Sequence, residues 1–165
     1  MMKIQVAGRK MYFAGKWVGR DQTIEVRDPQ DNSVIDTVPA ASAKDMLQCI
    51  EEAKDGAKIA ATMAVHERMA VIYKAADYIE ANKEKYASTI AREGSKTIRE
   101  ATKEVARCIQ TLRISAEEAR RIHGETIPFD QMPGSENRVG YYQQVPIGVI
   151  GAITPFNDPL NLVAH

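Results

Sequence analysis

The chain has 165 residues, 44% of them hydrophobic, enough for one compact domain with a real core. Its 22 lysines and arginines balance 22 aspartates and glutamates, so the formal net charge is zero. That disfavours a nucleic-acid partner, which rewards a positive excess, and an electrostatic membrane anchor. The opening MMKIQVAGRKMYF lacks the uninterrupted apolar stretch of a leader. The longest apolar run, residues 145–156, is too short and too broken by glycine and proline to span a bilayer, so a cytoplasmic location is expected.

Residues 11–40 read as short strands and turns. Tyr12, Phe13, Trp17 and Val18 flank Ala14-Gly15-Lys16, a hairpin pattern. Ile24-Glu25-Val26 alternates, Asp28 to Ser33 is a turn cluster, and Val34, Ile35, Thr37 and Val38 return as a strand. From Ser42 the period becomes helical. Ser42 with Asp45 forms a capping box, and Ala43, Met46, Leu47, Ile50, Ala53 and Ala57 make one stripe, expected to face inward. A second helix is predicted over 64–81, with Val65, Met69, Ile72, Ala76 and Ile79 inside. A third is predicted over 83–93, stopped by Gly94. Thr97 and Glu100 cap a fourth, whose stripe of Ile98, Ala101, Val105, Cys108, Ile109, Leu112, Ala116, Ala119 and Ile122 predicts a rod to about His123. Residues 125–137 read as loop and 138–154 as strand. The last part of that strand is apolar enough for burial on both faces of a parallel sheet.

Little of this carries chemistry. His66, His123 and His165 are scattered without metal-ligand spacing, so no metal is expected. Glu51-Glu52 and Glu117-Glu118 are adjacent on helices and diverge toward solvent. Cys49 and Cys108 sit mid-helix on apolar stripes, where a thiol is inert. Gly148 and Gly151 lack the following helix of a dinucleotide fingerprint. Asn157 is different. Pinned between Pro155 and Pro159, its amide could serve either as a pre-organised donor to a developing oxyanion or as a simple turn-former between strand and helix.

Pro146-Ile-Gly-Val-Ile-Gly-Ala-Ile-Thr-Pro-Phe-Asn-Asp-Pro resembles the P-x-G-V-x-x-x-x-P-[WF]-N-x-P signature of the aldehyde dehydrogenase superfamily. Phe13-Ala-Gly-Lys-Trp-Val, Asp28-Pro-Gln-Asp-Asn-Ser-Val-Ile and Arg92-Glu-Gly-Ser-Lys-Thr-Ile-Arg-Glu-Ala resemble three further family segments, in the family's order. The resemblance implies an α/β fold: short strands, four helices, then strands of the bridging and cofactor-binding domains. Residues 1–125 would open the cofactor-binding domain, 126–146 would form the bridging and oligomerisation strands, and 147–165 would start the Rossmann-like nucleotide-binding core.

The reaction implied is oxidation of a small aldehyde by NAD or NADP through a cysteine thiohemiacetal, in a homo-oligomer. Asn157 would stabilise the oxyanion. Ile153, Thr154, Pro155 and Phe156 would line the cofactor, and Asp158 would border the substrate pocket. A carboxylate there favours a small polar aldehyde and discourages anionic ones unless basic residues downstream compensate. The family's nucleophilic cysteine and general-base glutamate match nothing up to His165. The chain is therefore expected to be an N-terminal third, inactive alone, with apolar surface exposed around 145–163. The alternative is a stand-alone helical interaction or assembly module without catalysis.

Overall fold

The computed structural model describes residues 8–13 and 15–165. Ala14 of the expected hairpin turn, and the first seven residues of the segment read as leaderless, lie outside the described residues.

The hairpin forms. β1 (Met11–Phe13) pairs antiparallel with β2 (Lys16–Val18), and Gly15 supplies the left-handed backbone, φ 72°, that the tight reversal needs. β3 (Thr23–Arg27) and β4 (Val34–Pro39) form a second antiparallel pair with a bulge between Val26 and Arg27. The turn between them is built by aspartate side chains. Asp28 Oδ1 accepts the Gln30 N–H at 3.0 Å and Asp31 Oδ1 accepts the Ser33 N–H at 2.9 Å.

Both capping boxes start helices as predicted. In α1 (Ala43–Thr62) Asp45 donates its N–H to Ser42 Oγ at 3.2 Å, while Ser42 N–H bonds Asp45 Oδ2 at 2.9 Å. In α4 (Ile98–Glu118) Thr97 and Glu100 exchange the same pair at 3.3 and 3.2 Å. Each such cap contributes about 1 kcal/mol. α2 (Val65–Ala81) and α3 (Lys83–Gly94) pack on α4. Ala76, Ala87, Ile90, Ala101, Val105 and Ile109 make the buried core between them. Gly94 is the last helical residue. The left-handed stop falls on Ser95, φ 52°.

Four expectations need correction. The α1 stripe does not face a core: Met46, Leu47 and Ile50 are exposed, and α1 touches other elements only sparsely. Periodicity marks a face as apolar; it does not supply a neighbour to cover it. α4 stops at Glu118, about 32 Å from its start, and tightens into a 3-10 turn over Ala119–Arg121, as last turns commonly do.

The supposed loop holds β5 (Glu125–Pro128), paired antiparallel with β6 (Val139–Tyr142). Pro128 sits at the end of this ladder, where its missing N–H costs least. Gly124 is obligatory beside it, since a Cβ there would overlap the Tyr142 carbonyl oxygen. Finally, residues 143–155 belong to no strand; the run is not buried in a sheet, and its apolar surface is exposed, as expected for 145–163 in this chain alone. Among the described residues the strands form three separate two-stranded antiparallel pairs, and none of them pairs with this run. A strand needs a ladder partner, however suitable its own residues.

No helix among the described residues is long and apolar enough to cross a membrane. The uncovered run has a direct consequence. Ile147 is 86% exposed, Ile153 101% and Phe156 92%. The purified chain therefore binds a hydrophobic dye strongly and sediments faster as its concentration rises. A monomer silent to dye at high concentration would refute this.

Candidate functional site

Ile153, Thr154, Pro155 and Phe156 lie together on the extended run, all exposed, and Asn157 follows them, also exposed. Order begins one residue later. Asp158 is half-buried. Its carbonyl accepts the Leu162 N–H at 3.0 Å, opening the short α5 (Asn161–Ala164). Leu160 packs against the buried core.

Four side chains hold this turn. Glu104, on α4 and 1% exposed, accepts the Leu160 N–H at 2.9 Å and the Asn161 N–H at 3.3 Å through Oε1. Its Oε2 takes a bond from Lys96 Nζ at 2.6 Å. Lys96, in the link between α3 and α4, also bonds Asp158 Oδ1, while Arg107 bonds Asp158 Oδ2. Thr111 donates to Asn161 Oδ1 at 3.1 Å. Asn157 is thus the junction between a free extended run and a turn fastened to α4.

Sequence alone assigns no role to Glu104 or Arg107, and Lys96 enters only as part of the segment Arg92 to Ala101 that resembles the family. One signal was available for Glu104: it shares the α4 face of Ala101 and Cys108, a charge interrupting an apolar stripe. The expectation that cations near Asp158 would have to come from downstream is also revised, because both lie upstream of it.

The electrostatics follow from this packing. The bond from Lys96 holds the Asp158 carboxyl below its ordinary 3.8; partial burial opposes the shift and Arg107 adds to it. Burial pulls the Lys96 ammonium down, but the Asp158 and Glu104 carboxylates outweigh it, so its pKa is raised. Asp45 is likewise depressed, chiefly by Arg20, and Asp36 by the Thr37 N–H. A carboxyl with a depressed folded pKa contributes stability that is complete above the unfolded value and lost as pH falls through the folded one. Melting temperature therefore drops as pH is lowered below about 4. Asp158→Asn makes that drop shallower in thermal melts stepped through acid pH. An unchanged slope would show that the Lys96–Asp158 pair contributes nothing to folding.

Cys49 and Cys108 are free thiols, and burial pushes the Cys108 thiol up, away from thiolate. Cys108 is on the buried face of α4, remote in character from a nucleophile.

The model of the aldehyde dehydrogenase family matches residues 17–165. The chain belongs to the aldehyde dehydrogenase family. Among relatives, it is 44% identical over 142 residues to aspartate-semialdehyde dehydrogenase 1 of Pseudomonas canavaninivorans, covering 86% of this chain and 30% of that protein. It is 42% identical over 161 residues to 3-sulfolactaldehyde dehydrogenase of Priestia megaterium, covering 98% and 33%.

Among solved family structures, aldehyde dehydrogenase 21 of Physcomitrella patens, in complex with the reaction product succinate, superposes with a TM-score of 0.92 at 34% identity, covering 98% of this chain and 34% of that one. The NADP-dependent glyceraldehyde-3-phosphate dehydrogenase of Bacillus halodurans, complexed with NADP, gives 0.89 at 34% identity, covering 95% and 34%. The chain spans about a third of the length of the aldehyde dehydrogenases it matches.

Proposed function

We propose that this chain forms the first part of an NAD- or NADP-dependent aldehyde dehydrogenase and contributes its oxyanion donor, Asn157. The observation that carries this reading is the junction itself: an exposed amide, one residue ahead of a turn bound to α4 through Lys96, Glu104, Arg107 and Thr111. A pre-organised donor of this kind acts where charge develops.

The exposed side chains of Ile153 and Phe156, with Thr154 and Pro155 between them, fit the lining of a flat cofactor: apolar surface and extended backbone without a ladder. They would line it rather than anchor its charged groups. When bound there, NAD or NADP would supply the acceptor for the hydride that leaves the substrate carbon. In this reading a cysteine thiolate from the rest of the enzyme adds to the aldehyde carbon, and the carbonyl oxygen takes the negative charge. The Asn157 side-chain N–H bonds that oxygen. A glutamate from the same remainder activates the water that releases the acid. Residues 1–125 and 147–165 serve the cofactor-binding part and 126–146 the bridging sheet of a cytoplasmic homo-oligomer.

Asp158 borders the substrate pocket in this reading, with both carboxylate oxygens engaged by Lys96 and Arg107. Its charge is thereby offset, so it does not repel an acidic aldehyde. The substrate class is a small polar aldehyde, acidic ones included. Support comes from relatives named for aspartate semialdehyde and 3-sulfolactaldehyde, both of which bear an acidic group.

The test is reduction of NAD and of NADP by the full-length enzyme with lactaldehyde, aspartate semialdehyde and an unsubstituted alkyl aldehyde. The polar aldehydes turn over with the higher kcat/KM, and the 165-residue chain alone reduces neither cofactor. Failure of every aldehyde would overturn the reading in favour of an assembly module.

A further inference from the structure

We infer that Glu104 is a positioning residue for Asn157, fixing the oxyanion donor through the backbone of residues 158–161; the inference rests on the catalytic reading of Asn157. Glu104 lies inside α4 beside Val105 and Cys108, each 1% exposed. A carboxylate in such a place is costly, and an alanine or leucine would fill the helix face without that cost. What the carboxylate adds is direction. One oxygen bridges two consecutive backbone N–H groups, Leu160 at 2.9 Å and Asn161 at 3.3 Å, and the other holds Lys96 Nζ at 2.6 Å. Lys96 in turn holds Asp158, whose backbone is joined to Asn157 by one peptide. Charge-assisted bonds to both sides of the turn thus converge on a single buried group.

Within this chain, 143–155 lie in no strand, so the side-chain restraint on the backbone next to Asn157 comes through the turn that follows it, and Glu104 is the hub of that turn. Thr111 and Arg107 support the same turn from further along α4, at Asn161 and Asp158 respectively. Glu104 touches no reacting atom. Its effect on catalysis passes entirely through where Asn157 stands.

Dependence of this kind is read by a double-mutant cycle in the full-length enzyme. Glu104→Gln removes the charge, and its amide group cannot serve both Lys96 and the two N–H groups. It lowers kcat about 10–100-fold, the scale of a small misplacement of a catalytic group, with KM for aldehyde and cofactor nearly unchanged. In the Asn157→Ala background the same substitution lowers kcat no further. Equal losses in both backgrounds, or no loss in either, would overturn the proposal.

If Asn157→Ala itself leaves kcat intact, the catalytic reading of Asn157 falls first and this inference with it, so the two failures are distinguishable. Lys96→Gln, at the partly exposed rim of the same network, repeats the cycle with less risk to folding. It must show the same loss of effect in the Asn157→Ala background, and equal losses there would again overturn the proposal.

Discussion

Replacing Asn157 by alanine lowers the kcat of the full-length enzyme by about 10²–10³, equivalent to about 2.7–4 kcal/mol of lost transition-state stabilisation. KM for the aldehyde changes little. The asymmetry follows from where charge develops. A ground-state carbonyl oxygen is a weak acceptor, whereas the tetrahedral species carries a full negative charge, so a donor aimed at that oxygen favours the transition state over bound substrate. An interaction realised only there appears in kcat and kcat/KM together. Asn157→Asp is expected to be more severe than alanine, since it sets a carboxylate against the developing charge. Steady-state kinetics on the two variants decide the matter, and an alanine variant with native kcat would remove Asn157 from the mechanism.

Glu104→Leu destabilises the chain by about 2–4 kcal/mol, because two N–H groups lose their acceptor at about 1–3 kcal/mol each, partly offset by the apolar side chain gained. Leu160 and Asn161 would be left facing an apolar α4 surface, and Asn161 is itself buried. Lys96 keeps Asp158, which limits the loss on the ionic side. Urea unfolding should show a lower midpoint at unchanged slope, since the surface exposed on unfolding is nearly the same. A midpoint within error of the native one would mean that the turn is already detached from α4 in solution. Ile109→Ala, a plain truncation on the same helix, offers a comparison in the range of about 2–5 kcal/mol.

Ser42 with Asp45 and Thr97 with Glu100 announced the helix starts because capping is local: donor and acceptor lie three residues apart. The middles of the α2, α3 and α4 stripes were legible for a similar reason, since those three helices cover one another, but Val65, Ile98 and Ile122 at the stripe ends were expected inside and are exposed, because the covering helices do not reach them. The face of α1 was equally clear as a pattern and led to the wrong expectation, because burial depends on a neighbour that periodicity does not name. The run at 147–154 forms no strand here for the same reason, although its exposure in this chain alone was expected. Its β-branched residues specify extended backbone, but ladder partners are non-local. β5 was missed because Thr126 and Ile127 are its only β-branched residues and Pro128 follows them.

In the candidate site, Asn157 stood out through its bracketing prolines and the family resemblance. Glu104 did not, since its partners lie 56 and 57 residues further along the chain. A charge on an apolar stripe acquires meaning only once Leu160 and Asn161 are brought beside it.

That separation also sets an order in time. On the ribosome Glu104 is made 56 residues before Leu160, a delay of about 3–11 s at about 5–20 residues per second. Lys96, only eight residues from Glu104, is already there to neutralise it. The nascent helices can therefore pair Glu104 with Lys96 before the segment they will hold exists, leaving Arg107 as the unmatched cation. Asp158 then arrives as the missing negative charge, and translation itself sets the order in which the two halves of the network meet.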